Sequence, residues 1–216
     1  MRDIFSLDGR LMSILGRITD FFILNIIFVI TCIPIVTIGP ALTALYTVTL
    51  KMVKNEDAYI FKSYFIAFKE NFKISLFAWL IMLVILIILG VDYRIMTVNG
   101  EALGKIFPVV FLTLIFVGLI ISLYLFPYIA RFENNLKASF KNAILIALVS
   151  LPWTILLVLV TVGVAFVSVF VIPLQYVILI WFLCGFALLA YIQSFIFRKV
   201  FVKYEPKEED EKEDKE

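Results

Sequence analysis

Residues 32–46, CIPIVTIGPALTALY, decide how the N-terminal part of this chain folds. The stretch is apolar enough to lie within a bilayer, yet it carries Pro34, Gly39 and Pro40. Proline lacks an amide hydrogen, and glycine costs about 1 kcal/mol relative to alanine inside a helix. The stretch therefore predicts a break, which is either a turn between two membrane helices or part of a binding site.

The composition around this break is that of an integral membrane protein. Of the 216 residues, 63% are hydrophobic and 17% are charged, and the mean hydropathy is +1.06. Soluble domains have a much smaller apolar share. The chain is long enough for about five or six spans of about 20 residues each. The net charge of +2 gives no reason to expect binding to nucleic acid.

The apolar runs predict an all-α transmembrane bundle with five long spans and one short helix. The long spans are expected at residues 18–38, 74–91, 106–127, 143–168 and 172–197, and the short helix at residues 40–53. At 1.5 Å per residue the short helix reaches only about 20 Å, so it is either re-entrant, tilted or at the surface. Residues 1–203 form one membrane domain in this interpretation, and residues 204–216 a disordered charged tail.

Two amphipathic segments are expected beside the spans. In residues 3–20, polar side chains recur three or four positions apart with apolar residues opposite, which indicates a surface helix that precedes the first span. The second segment has a phenylalanine stripe and an adjoining lysine, at Phe61, Phe65, Phe68, Phe72 and Lys69. Aromatic rings and lysines both favour the headgroup layer. This segment is either a membrane-surface helix or a coupling helix for a cytoplasmic partner.

Lysine and arginine predict that both termini are cytoplasmic. Basic residues are concentrated in the connections at 51–73, 128–141 and 198–203, while the connection at 169–173 has none. If the short helix returns the chain to its starting side, the N-terminal arginines join this set. We therefore expect an N-in, C-in protein with a tight turn at residues 38–40.

The sequence supplies few groups for catalysis. It has no histidine, and no Asp, Glu, Lys or Arg lies deep in a long apolar run. Cys32 and Cys184 both lie in apolar runs, which does not favour a disulfide or a metal site. We expect a non-enzymatic protein without catalytic residues, metal or cofactor. The amides of Asn25, Gln175 and Gln193 are costly to bury unpaired, so each is expected to have an interhelical partner.

Two segments of the chain are similar to each other. Residues 64–75, YFIAFKENFKIS, and 128–139, YIARFENNLKAS, share Tyr, Phe, Asn, Lys and Ser at a fixed offset. Each is expected to precede a long span. The similarity is either a parallel repeat of a membrane unit or a coincidence in a chain rich in these residues.

Residues 33–73, IPIVTIGPALTALYTVTLKMVKNEDAYIFKSYFIAFKENFK, resemble the YesL family of small bacterial integral membrane proteins. The family pattern has a glycine-containing acidic turn where this chain has NEDA at residues 55–58. The resemblance implies a multi-pass protein of the bacterial cell membrane with no established catalytic residues. The candidate ligand or partner contacts are the motif positions and their neighbour Thr37, namely Pro34, Thr37, Gly39, Pro40, Thr43, Tyr46 and Lys51.

The resemblance also implies an accessory role in oligosaccharide uptake or its sensing. Besides the lipid bilayer, the partner would be either a sugar-transporter permease or a membrane kinase. The alternative is a small transporter or channel that uses the break at residues 34–40. A broken helix exposes backbone donors and acceptors, and a helix that starts near Pro40 directs its positive end into the membrane.

Overall fold

The computed structural model describes residues 3–56, 59–98 and 107–204, with side chains from Leu15 onward. The described residues are helical and contain no strand. Among these described residues, six helical segments are long and apolar enough to cross a membrane, as judged by length and composition. The prediction of an all-α multi-pass membrane bundle is therefore confirmed. The predicted tail lies outside the described residues, except for Tyr204.

In chain order the described helices are α1 (Asp3–Cys32), α2 (Ile38–Val53), α3 (Ile60–Glu70), α4 (Phe72–Val98), α5 (Phe107–Arg131), α6 (Leu136–Val149), α7 (Leu151–Phe170), α8 (Leu174–Ile180) and α9 (Phe186–Phe201). A 3₁₀ turn, Ile35–Thr37, precedes α2. A π-helical segment, Trp181–Gly185, joins α8 to α9. The six candidate spans are Leu15–Cys32, Ile35–Val53, Phe72–Val98, Phe107–Arg131, Leu151–Phe170 and Leu174–Phe201.

Helix α1 is longer at its start and shorter at its end than predicted. The predicted surface helix and the first span form one uninterrupted helix of 30 residues, so no turn separates them. The helix ends at Cys32, six residues before the predicted end. Pro34 has no amide hydrogen for the Ile30 carbonyl and disfavours helical geometry at Ile33. The turn therefore lies at residues 33–37 and not at residues 38–40.

The short helix is long enough to be a span. Helix α2 has 16 residues and follows a 3₁₀ turn of three residues. At about 1.5 Å per α-helical residue and about 2.0 Å per 3₁₀ residue, the pair reaches about 30 Å, which matches a hydrocarbon core. The predicted length of about 20 Å was too small because the helix begins two residues earlier and the turn adds its own rise.

The predicted span at residues 143–168 is wrong, because the chain breaks at Ser150. Helix α6 ends at Val149 and α7 begins at Leu151. Pro152 cannot donate to the Leu148 carbonyl and disfavours a continuous helix before it. The hydroxyl of Thr154 instead donates to the Ala147 carbonyl at 2.7 Å. The candidate span is α7 alone, and α6 is a separate short helix.

Asn25 of α1 accounts for the π-helical segment in the last span. Its side-chain amide donates to the carbonyls of Trp181 and Phe182 at 3.0 and 2.7 Å. Its oxygen accepts from the Ala187 amide at 3.0 Å. The amide thus replaces hydrogen bonds of the interrupted helical ladder, which lipid could not supply. The prediction that Asn25 has an interhelical partner is confirmed.

Helix α2 lies at the centre of the bundle and packs against α1, α3, α4, α5 and α9. At one end of the bundle, cationic side chains of α1 and α9 form hydrogen bonds with the end of α2 and the residues that follow it. Arg17 donates to the side chain of Asn55 at 2.9 Å, and Arg198 donates to the Val53 carbonyl at 2.9 Å. We call this the basic end. It contains the start of the first span and the ends of α2 and α9.

The two similar segments share a local structure but not a repeated unit. In both, a tyrosine and a phenylalanine ring stack, with ring centroids 6.3 Å apart at Tyr64–Phe68 and 4.8 Å apart at Tyr128–Phe132. In both, an asparagine follows this pair, and its carbonyl accepts a hydrogen bond from the backbone amide of a buried serine four residues later. The first segment leads into the 27-residue span α4. The second leads into α6, which has 14 residues and is not a candidate span. The expectation that both precede a long span is therefore wrong.

Candidate functional site

The helix break is closed by hydrogen bonds within the protein. The hydroxyl of Thr37 donates to the carbonyls of Thr31 and Pro34, at 2.7 and 2.8 Å. The indole of Trp79, on α4, donates to the Ile35 carbonyl at 2.8 Å. Three carbonyls near the break therefore have donors from this chain, and the exposed residue of the motif here is Pro34.

The next three motif residues are buried where α2 crosses α4. A Cβ atom on Gly39 would lie 2.4 Å from the Ser75 carbonyl oxygen and 2.5 Å from Cβ of Trp79, so only glycine allows this approach. Pro40 is buried within the first turn of α2. The hydroxyls of Thr43 and Ser75 lie 2.8 Å apart, and both residues are fully buried. The break and the helix that follows are thus packed against α4.

Tyr46 belongs to a polar network between spans. Its hydroxyl donates to the side-chain oxygen of Gln193 on α9, and the nitrogen of Gln193 donates to Thr161 on α7 at 2.9 Å. The hydroxyls of Thr49 and Ser194 form a second α2–α9 contact at 2.8 Å. The prediction for Gln193 is therefore confirmed. All buried side-chain N and O atoms of the described residues have a hydrogen-bond partner.

Gln175 does not follow that prediction. It lies in the first turn of α8, where its side chain is exposed and bonds to no described residue. Pro173 ends the turn after α7, so Gln175 comes at the end of a span and not within it. An amide at that level reaches water or lipid headgroups and needs no partner in the protein.

A cleft of about 410 Å³ lies between α2, α4, α5 and α7, and we call it the apolar cleft. Its walls are mainly aliphatic and aromatic, and Tyr46, Ser122 and Thr161 supply its hydroxyl groups. The rings of Trp79 and Phe126 meet there with centroids 6.2 Å apart. Such a lining suits a hydrocarbon chain and offers few partners to a polar solute.

A second cavity, of about 440 Å³, lies at the basic end between α2, α3 and the end of α5. We call it the charged cavity, because two cationic and two anionic side chains line it: Lys51, Arg131, Glu70 and Glu133. Uncharged polar groups come from Thr47, Ser63 and Asn71, and Phe132 adds an aromatic wall. Of the motif residues, Lys51 lies here, while Pro34, Thr37, Gly39, Pro40 and Thr43 line neither cavity.

The aromatic stripe lies along the side of α3 and ends with Phe72 at the start of α4, and it is only partly exposed. Phe61 is 63% exposed, whereas Phe65 and Phe68 pack against the core and Phe72 is half-buried. Tyr64 anchors the helix, with its hydroxyl 2.6 Å from that of Thr31. Burial raises the pKa of the Tyr64 phenol above its usual range, so the phenol stays protonated at neutral pH.

A different set of residues forms the surface of α3 that faces away from the bundle. Tyr59 is 87% exposed and Ile66 is 44% exposed, and Lys62 and Lys69 are exposed beside them. These four residues recur at helical spacing, and we call them the outer face of α3. The sequence pattern emphasised the phenylalanines because they are the more regular series. It did not show that α3 packs on the bundle through Tyr64 and Ala67, which places the phenylalanines at the side of the helix.

The fold defines an all-α, multi-pass membrane protein with a charged cavity at one end of the bundle. The family described as "Protein of unknown function, DUF624" has a sequence model that matches residues 21–93. The match runs from within α1 into α4 and includes the break, α2 and α3. No curated protein and no solved structure matches the chain.

Proposed function

We propose that this is a non-enzymatic accessory protein of the bacterial cell membrane, YesL-like, that acts in oligosaccharide uptake or its sensing. It would do so by contacting a sugar-transporter permease or a membrane kinase. The observation that carries the proposal is the outer face of α3. This face presents an aromatic, an aliphatic and two cationic side chains, and the opposite side of α3 is buried against the bundle.

The distribution of basic residues supports a cytoplasmic position for this surface. Arg17 and Arg198 meet the end of α2 at the basic end, and α3 follows α2 directly. Lysines and arginines are enriched in the cytoplasmic connections of membrane proteins. With six crossings, both termini and α3 would lie on the cytoplasmic side, where a kinase or the cytoplasmic face of a permease is accessible.

The alternative, a small transporter or channel that uses the break at residues 34–40, has less support. The carbonyls beside the break accept hydrogen bonds from Thr37 and Trp79, and Gly39 is in close contact with α4. Opening a pathway there would separate α2 from α4, remove the hydrogen bond from Trp79 and leave the Ile35 carbonyl without a partner in lipid. The apolar cleft is also poorly suited to a sugar or an ion.

Affinity purification in mild detergent tests the proposal. The protein should recover a permease or kinase subunit, identified by mass spectrometry. The double variant Lys62→Glu/Lys69→Glu should lose most of that subunit, because charge reversal places like charges against a complementary surface. The matched control is Lys137→Glu/Lys141→Glu, which makes the same charge change on exposed residues of α6 and should retain it.

Two results would contradict the proposal. Repeated recovery of this protein alone, under conditions in which known membrane complexes of the host survive, would remove the accessory role. Equal loss of the subunit in both double variants would show that net charge, and not the outer face of α3, controls the association.

A further inference from the structure

We propose that the charged cavity binds the headgroup of a phospholipid that carries both a phosphate and a primary ammonium group, as in phosphatidylethanolamine. The cavity measures about 440 Å³, which lies within the range of small-molecule sites. The proposal does not depend on a protein partner, and of the outer face of α3 only Ile66 lines this cavity.

The four charges of the cavity come from three parts of the chain. Lys51 lies in the last turn of α2, and Arg131 ends α5. Glu70 ends α3, and Glu133 follows α5 in the connection to α6. Such an arrangement offers both N–H donors for a phosphate and carboxylate acceptors for an ammonium group.

Three of these charges are not neutralised by the described protein. Within residues 3–56, 59–98 and 107–204, the side chains of Lys51, Glu70 and Glu133 form no hydrogen bond or ion pair, while Arg131 does have a partner. Lys51 is also half-buried, so its ammonium group is partly removed from solvent. A zwitterionic ligand would pair the charges of both signs without adding net charge to the site.

The position of the cavity favours a lipid over a soluble phosphate ester. Lys51 and Arg131 lie at the ends of two candidate spans, where headgroups meet the protein. Ile66, Ala67 and Ile129 provide apolar wall beside the charges. Along α5, the residues that line the apolar cleft precede those that line the charged cavity, so hydrocarbon-binding surface and headgroup-binding surface follow one another on the same helix.

The mixture of charges also selects among headgroups. Phosphatidylglycerol is anionic and has no ammonium group, so it would bring a phosphate close to Glu70 and Glu133 without a cation of its own to pair with these carboxylates. The quaternary ammonium of phosphatidylcholine has no N–H to donate to these carboxylates. Phosphatidylethanolamine supplies an N–H donor for the carboxylates and a phosphate for Lys51 and Arg131.

Native mass spectrometry tests this. The protein is released from nanodiscs that contain equal amounts of phosphatidylethanolamine, phosphatidylglycerol and phosphatidylcholine of identical acyl chains. We expect phosphatidylethanolamine to be retained about tenfold more than either other lipid, as expected for the loss of one charge-assisted hydrogen bond. Lys51→Gln and Glu133→Gln should each remove most of this preference. The control Lys137→Gln, on α6, should keep it.

Other outcomes overturn the proposal. Equal retention of the three lipids, or a preference for phosphatidylglycerol, would do so. A preference that survives both Lys51→Gln and Glu133→Gln would place the lipid elsewhere. Glycerophosphoethanolamine, which has the headgroup without acyl chains, is added as a competitor. If it binds as tightly as the lipid, the site belongs to a soluble phosphate ester. Glu133 is exposed in a connection, so its variant should fold even if Lys51→Gln does not.

Discussion

Helix α2 is less apolar than helix α7 but is more deeply buried in the bundle. Helix α2 is the less apolar, with three threonines, a glycine and a proline among its 16 residues, yet 11 of them are buried. Helix α7 is richer in valine, leucine and phenylalanine, but only Thr154 and Leu157 of its 20 residues are buried. The more hydrophobic helix is thus on the outside of the bundle.

The difference follows from the solvent. Lipid tails are as apolar as leucine, so burying an aliphatic side chain between helices gains little hydrophobic free energy. Close packing and interhelical hydrogen bonds stabilise the interior, and both favour small and hydroxyl-bearing residues. In this chain, Gly39, Thr43 and Thr47 recur every fourth residue and face α4 and α5.

The largest effect on stability is expected at Gly39 of α2, which is tightly packed, whereas Gly163 of α7 has open space around it. Gly39→Leu should prevent recovery of folded protein, and Gly39→Ala should lower the free energy of unfolding by about 1–3 kcal/mol, because its Cβ overlaps Ser75 and Trp79. The control is Gly163→Ala on α7, where no atom lies within 4 Å of the added Cβ. Thermal unfolding in detergent, followed by size-exclusion chromatography, measures both. Equal effects at the two positions would contradict the packing of α2 against α4.

A matched leucine pair tests burial itself. Leu45 of α2 is 2% exposed and Leu159 of α7 is 63% exposed. Leu45→Ala should cost about 2–4 kcal/mol, because it leaves a cavity in the bundle. Leu159→Ala should cost less than about 0.5 kcal/mol, because lipid fills the space. A steric-trapping measurement of unfolding would give both values. A large cost at Leu159 would indicate that α7 is covered by another protein.

The side-chain amides of Asn25 and Gln175 test whether a buried polar group also stabilises the bundle outside α2. Asn25→Ala removes the partner of two carbonyls and one amide in the last span, and should cost about 2 kcal/mol. Gln175→Ala removes an exposed amide and should leave stability unchanged. The same unfolding measurement applies. If the two variants are equally stable, lipid or water satisfies the π-helical segment without Asn25.

The smallest effect concerns a single hydroxyl. Tyr46→Phe removes the donor to Gln193 and should cost about 1 kcal/mol, close to the average for such bonds between membrane helices. The control is Tyr176→Phe on α8, where the side chain is 53% exposed. A cost at Tyr176 as large as that at Tyr46 would mean that the exposed phenol also has a partner.

The sequence alone determined the class of this protein. Long apolar runs predicted the bundle, because a span needs about 20 apolar residues whatever its neighbours are. Prolines marked the turn after α1, and Pro152 would have marked the start of α7 had it been given the same weight. The predicted partners of Asn25 and Gln193 followed from the cost of an unpaired amide in lipid.

Only the tertiary structure decided which faces pack together and where the charges meet. Interior and lipid-facing positions are both apolar, so their periodicity does not separate them. Lys51, Glu70 and the neighbouring pair Arg131 and Glu133 come from three separate parts of the chain, and no local pattern joins them. The space around Gly39 depends on α4, and the π-helical segment depends on α1. Each of these features comes from contacts between distant residues, which only the folded chain brings together.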